Sequence, residues 1–246
     1  MKRLLALAGF TLILLPLCRA DDAEKAGPND NKPPEGFTAL FNGKDLTNWQ
    51  GAIDFGQRQK LSEAERAAEQ KKTDAKVLPH WTVVDGVLHN DGQGGNLGTK
   101  KDYGNFELYV DWKIEPLGDS GIYLRGNPQV QIWDSDKLDP KRYALEHAKG
   151  SGALWNNRKK EDKVPLKKAD KVPGQWNTFY IVMKDGKVTV KLNGELVVDG
   201  VTLDNFFEKD KPLPDKGPIE LQAHYRADNK PGHLWFKNIY VKELSK

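Results

Sequence analysis

From Gly36 onward the chain reads as short apolar runs broken by turn dipeptides: Asn42-Gly43, Asp85-Gly86, Asp91-Gly92, Asp185-Gly186, Asn193-Gly194 and Asp199-Gly200. Several of these dipeptides fall between runs of period two, the signal of a β-hairpin. Val188, Val190 and Leu192 alternate with Lys187, Thr189 and Lys191, and Asn193-Gly194 then turns the chain into 195–199. Two stretches depart from this meander. Residues 61–72 (LSEAERAAEQKK) combine high helix propensity with a thin apolar stripe and predict a solvated helical insertion. Residues 134–175 are too long for an ordinary connection, and Trp155 within them argues that part of the segment packs. With no alternating βαβ pattern, the expectation is all-β: one sandwich or barrel domain spanning 36–244.

Strand alternation can also be read for chemistry, because residues i and i+2 share a face. Phe106, Leu108, Val110 and Trp112 alternate with Glu107, Tyr109 and Asp111. The same rule sets Tyr123 and Arg125 opposite Ile122 and Leu124, and Gln131 and Trp133 opposite Val130 and Ile132. Glu220, Gln222 and His224 alternate with Ile219, Leu221 and Ala223. The Lys187/Thr189/Lys191 face is what a solvated strand carries, whereas these four faces collect aromatics, amides, one Arg, one His and carboxylates. Aromatic rings mixed with planar hydrogen-bonding groups suit a sugar, which offers a C–H face for stacking and hydroxyls for pairing. A solvated face or a protein interface stands as the alternative. Glu107 and Asp111 are four residues apart, roughly 13 Å along a strand, which is poor spacing for the two carboxyls of an ordinary glycosidase. A cross-strand pair such as Asp111 with Glu220 stays open.

Composition matters chiefly at the N-terminus. The formal charge of the 246-residue chain is +3, but Lys2, Arg3 and Arg19 all precede residue 21, and the remainder balances 35 basic against 35 acidic residues. A neutral body disfavours a dedicated nucleic-acid or membrane-surface partner. Lys2-Arg3, the apolar run 4–17 and Cys18-Arg19-Ala20 read as a secretory signal peptide over 1–20, with the apolar run too short to span a bilayer. The expected location is secreted or periplasmic. Lipoprotein anchoring through Cys18 is the lesser alternative, because Leu17 stands where a small residue is expected. Residues 21–35 have the composition of a flexible linker. Cys18 is the only cysteine, so the mature chain has no thiol chemistry. The five His, at 80, 89, 147, 224 and 233, lack zinc-ligand spacing. No metal or cofactor is expected, although Asp119 or Asp134 is of the type that serves calcium.

Six segments resemble, in order, the 3-keto-disaccharide hydrolase domain family: 36–46 (GFTALFNGKDL), 81–88 (WTVVDGVL), 103–108 (YGNFEL), 119–125 (DSGIYLR), 130–134 (VQIWD) and 217–222 (GPIELQ). The resemblance covers nearly the whole domain and implies a concanavalin-like jelly-roll sandwich of two antiparallel sheets, exported by bacteria. It also implies hydrolysis of glycosides whose sugar is already oxidised at C3. Glu107, Arg125, Gln131, Asp134 and Gln222 match family positions, and His224 resembles the position after the Leu-Gln pair where an aromatic or His is common. Two departures stand out: Gln129 replaces a frequent acid, and the 54–79 insertion is longer than in the simplest members.

A C3 ketone acidifies the C2 proton, so one base can remove it and the enolate can expel the aglycone before water adds. The expected roles are His224 or Asp111 as base, Arg125 on the enolate and Glu107 beside them. Gln131, Asp134 and Gln222 would bind hydroxyls, Tyr123 or Trp133 would stack on the ring, and Trp155 would stack or pack. The partners implied are a carbohydrate substrate and a separate sugar 3-oxidoreductase that supplies the ketone. A non-catalytic glycan-binding module and a protein-interaction domain are the competing classes.

Overall fold

The computed structural model describes residues 26–27, 29–136 and 150–245; the expected signal segment with Cys18, and His147, lie outside them. Thirteen strands build two antiparallel sheets. In chain order they are β1 (Thr38–Ala39), β2 (Trp49–Gly51), β3 (Trp81–Val84), β4 (Val87–Asn90), β5 (Leu97–Thr99), β6 (Phe106–Ile114) and β7 (Asp119–Leu124). There follow β8 (Asn127–Trp133), β9 (Asn177–Lys184), β10 (Lys187–Leu192), β11 (Glu195–Thr202), β12 (Glu220–Leu221) and β13 (Leu234–Glu243). The larger sheet runs β11-β10-β9-β6-β13-β4-β3, with β1 also paired to β13, and the smaller runs β2-β5-β12-β7-β8. This is the expected concanavalin-like jelly-roll sandwich.

The faces follow the alternation. Phe106, Leu108, Val110 and Trp112 of β6, with Phe179, Ile181 and Met183 of β9, meet Leu97, Ile122, Leu124, Val130, Ile132 and Leu221 of the smaller sheet in one cluster. Each fully buried aliphatic or aromatic side chain there contributes about 1.5–3 kcal/mol. Three predicted hairpins form at Asp85-Gly86 (φ 48° and 80°), Asp185-Gly186 (49° and 76°) and Asn193-Gly194 (52° and 87°). Two successive positive φ values match the twist of the flanking strands, which is why Asn or Asp followed by Gly occupies all three. Asp199-Gly200 makes no turn. It lies within β11 at a register shift, where Val188 pairs with Val201 but Val190 pairs with Val198, so the extra residue is a bulge.

The predicted helix is α2 (Glu63–Val77), preceded by a single turn, α1 (Phe55–Arg58). Ser62 and Glu65 form a capping box that fixes the start of α2. The helix extends past residue 72 and is less solvated than its stripe implies, because Gln70 donates to the Gly51 carbonyl and Asp74 accepts from the Gly51 amide. Those bonds close the β2 edge of the smaller sheet. The opposite edge, β8, is closed by the long segment, with Gly152 N donating to Gln131 O and Gln131 N to Ala153 O. Leu166 N likewise donates to Val197 O on β11. The described part of the expected linker is also fastened down: Asn31 exchanges hydrogen bonds with Asn238, and Lys237 pairs with Asp30 at 2.6 Å.

Candidate functional site

On the outer face of the smaller sheet, Asp119 and Tyr123 of β7, Gln129, Gln131 and Trp133 of β8, and Gln222 and His224 beyond β12 line one cavity of about 400 Å³. Asp54, Trp155, Asn156, Phe206 and Phe207 close it. The strand residues converge because each sits at alternate positions of neighbouring strands, Tyr123 opposite Gln129 and Gly121 opposite Gln131.

The covering loops are fixed by buried amides and close packing. Asn127 donates to Asn205 at 2.9 Å and accepts from Phe206 N, while Asn205 accepts from Glu208 N and donates to Pro212 O. This network holds the Phe206-Phe207 loop over the sheet. Gly126 is required beneath α1: its φ is +67°, and a Cβ there would stand 2.2 Å from the Phe55 ring. Trp133 is buried and donates to Gly150 O at 3.0 Å. It meets Trp155 edge to face at 5.5 Å between ring centroids.

Polarity within the cavity is fixed from one end. Gln131 Nε2 donates to Asp119 at 2.7 Å and to the Ser120 carbonyl at 3.0 Å, so its Oε1 must accept from Gln129 Nε2. Gln129 is therefore held with Oε1 outward from that bond, and this buried oxygen has no partner among the described residues. Gln222 repeats the pattern, its Nε2 donating to the Tyr123 hydroxyl at 3.3 Å while its Oε1 is buried and unpartnered. Two orphaned carbonyls of this kind ask for donor groups on a ligand.

Tyr123 accepts from Gln222 Nε2, which leaves its own proton available to donate. Burial first, and then the nearby Glu220 and Asp119 carboxyls, push its phenol up to about 12. His224 Nδ1 lies 2.8 Å from Tyr225 O and 3.6 Å from Asp119 Oδ2. Both neighbours are acceptors, so Nδ1 carries a proton toward them. An imidazole and a phenol hydroxyl thus flank one aromatic-walled depression. Among the described residues no group of three or more His, Cys, Asp or Glu could hold a metal ion, and no helix is long and apolar enough to cross a membrane.

Residues 36–242 match the model of the 3-keto-alpha-glucoside-1,2-lyase-like domain family. The chain belongs to that family. A 3-keto-disaccharide hydrolase of Bacteroides thetaiotaomicron is 24% identical, covering 85% of this chain and 79% of its own. A crystal structure from Parabacteroides distasonis, described as a candidate glycosyl hydrolase, superposes with a TM-score of 0.63 at 25% identity, over 88% of this chain and 100% of that one. A second from the same organism gives 0.57 at 25% identity, over 87% and 90%.

The lyase-like domain does not bring all the expected residues together. Tyr123, Gln131, Trp133, Trp155, Gln222 and His224 share the cavity. Glu107 and Asp111 do not, because β6 belongs to the larger sheet and its polar face points away from the sandwich on the other side. There Glu107 accepts from Tyr180 and Lys242, and Asp111 from Thr178 and Asn238. That placement also removes the Asp111–Glu220 pair.

Arg125 lies past the end of β7, in a turn with φ +53°, so the alternation stops one residue before it. Its guanidinium is buried and committed to Gly104 O, Pro214 O and Asn105 Oδ1. Asp134 has the opposite parity to Gln131 and Trp133, and its buried carboxylate caps a turn by accepting from Leu117 N and Asp136 N. Asp54, Asn156, Phe206 and Phe207 escaped the sequence reading because they lie on loops where no period exists. Gln129 and Asp119 carried a signal, since extending the β8 alternation by one step from Gln131 reaches the first and extending the β7 alternation by two steps from Tyr123 reaches the second.

Proposed function

We propose that this protein cleaves 3-keto-glycosides in the cavity described above, by elimination and subsequent hydration. The observation that carries the reading is the pairing of His224, its Nδ1 proton held toward Tyr225 O and Asp119, with a Tyr123 hydroxyl free to donate. His224 Nε2 removes the C2 proton, and the C2–H electrons form the enolate, whose oxygen takes the Tyr123 hydrogen bond. The C1–O bond then breaks, and the aglycone leaves with the proton that His224 took. Water adds its oxygen to C1 and a proton to C2, giving the free 3-keto sugar. Stopping before that addition would make the same site a lyase, which accommodates both the lyase in the family's description and the hydrolase among the relatives. Trp133, Trp155 and Phe206 supply apolar walls for the ring, and the Gln129 and Gln222 carbonyls accept from hydroxyls.

The proposal includes export after cleavage beyond Ala20, supported by Lys2-Arg3 and the apolar run 4–17. It also requires a separate oxidoreductase to place the ketone.

The test is release of a chromogenic aglycone from a 3-keto-glucoside, with the unoxidised glucoside as control. His224→Ala is expected to lower kcat about 10²–10⁴-fold, and Tyr123→Phe by a smaller factor. Full turnover in His224→Ala, or equal release from the unoxidised glucoside, would sink the reading.

A further inference from the structure

Glu220 is the one carboxyl of the smaller sheet that is buried with half of its hydrogen-bonding capacity unused. Its residue is 5% exposed, Asn96 Nδ2 donates to Oε2 at 3.2 Å, and Oε1 has no partner among the described residues. Asn96 cannot flip, because its Oδ1 accepts from Ala223 N at 3.3 Å. Oε2 is therefore an acceptor, and a proton on the carboxyl belongs on Oε1. Gly98 stands opposite Glu220 in the β5 register, where a Cβ would be in ordinary contact with Glu220 Cγ at 3.5 Å and crowd Ala52 at 3.3 Å.

Every neighbouring element bears on the charge. From β7, Tyr123 is the cross-strand partner of Glu220. From the N-terminal side of α1 comes the carboxylate of Asp54, which disfavours ionisation, and from α1 comes Arg58, which favours it. Arg58 is already engaged in a two-bond pair with Asp102, at 2.8 and 3.0 Å. The β5 side supplies only the neutral Asn96 and Gly98. Burial outweighs the Asn96 hydrogen bond and the Arg58 attraction, and pushes the carboxyl up to about 7.

We propose that Glu220 is a positioning residue of this cavity: cross-strand to Tyr123 and buried as a neutral carboxylic acid, it keeps negative charge away from the Tyr123 hydroxyl that donates to the ligand. Once ionised, Glu220 sets a buried negative charge near enough to act on the Tyr123 phenol. That charge opposes the negative charge that grows on the enolate oxygen. The proposal rests on the 3-keto-glycoside reading for its catalytic consequence, but not for the protonation of Glu220.

The decisive variant is Glu220→Gln, which keeps the shape and the neutral form. Turnover of the 3-keto-glucoside by the native protein should fall about tenfold per pH unit above pH ~7, and the variant should lose that alkaline limb while retaining the acid one. A second readout needs no substrate. A carboxyl whose folded pKa lies above its unfolded value binds the proton more tightly when folded, so its stabilisation is complete below pH ~4.5 and is lost as pH rises toward ~7. The native melting temperature should drop by about 5–10 °C across that window from this group, and Glu220→Gln should remove that part of the drop. Parallel melting curves for the two proteins overturn the neutral-acid assignment. An alkaline limb unchanged in the variant overturns the coupling to Tyr123. A native protein inactive on every 3-keto substrate overturns the functional reading instead, and the melting comparison then decides Glu220 by itself.

Discussion

Arg125 is where alternation and backbone conformation part company. Its parity pairs it with Tyr123, yet the turn it shares with Gly126 rotates it toward Gly104, Pro214 and Asn105. Arg125→Ala would take this donor from the half-buried Gly104 and Pro214 carbonyls, while Asn105 Oδ1 keeps the Asp185 amide, at a cost of about 1–3 kcal/mol. Urea unfolding should show that loss, while turnover per folded molecule stays near native. Gln129 is constrained in the opposite sense, by direction more than by place. Gln129→Glu would set a carboxylate oxygen against Gln131 Oε1, which cannot turn away because Asp119 holds the other end of that amide. A stability loss of about 1–3 kcal/mol is expected, and it should shrink at acid pH, where the new carboxyl protonates and can donate.

Among the elements, the strands of period two and their hairpins were legible because neighbouring residues encode them. The Asn193-Gly194 hairpin needs nothing beyond the residues flanking it. What alternation cannot encode is the sheet that a strand joins. β6 and β7 show the same split between apolar and polar faces, yet distant pairings send them to different sheets, and Glu107 and Asp111 left the site for that reason. Residues 61–72 announced a helix, but its docking was hidden because it runs through the polar side chains Gln70 and Asp74 and not through an apolar stripe. Ser62→Ala should remove the capping box and cost about 1 kcal/mol by thermal melting. Gly126→Ala should do more, since strain at φ +67° and a collision with Phe55 act together. It is expected to lower the melting temperature by several degrees and to weaken binding of the proposed 3-keto-glycoside ligand as α1 and Asp54 shift; calorimetry measures both.

At the scale of the molecule, both sheets contribute to a single buried cluster, so neither has an apolar face to keep if the other departs. Tryptophan fluorescence and far-ultraviolet circular dichroism should therefore trace one coincident transition in urea. The neutral body and the site agree in kind: orphaned amide carbonyls and aromatic walls answer hydroxyls and C–H faces, and neither calls for a net charge. The bonds that tie residues 150–153 to β8, Leu166 to β11 and α2 to β2 have a further effect. A sheet rim with unpaired amides and carbonyls is a template on which a foreign strand can polymerise. Here the β2, β8 and β11 rims carry bonds from the chain's own helix and loops, and the remaining edges, β1 and β3, are only two and four residues long. The same covering that frames the cavity thus also leaves a foreign strand little edge on which to start fibre growth.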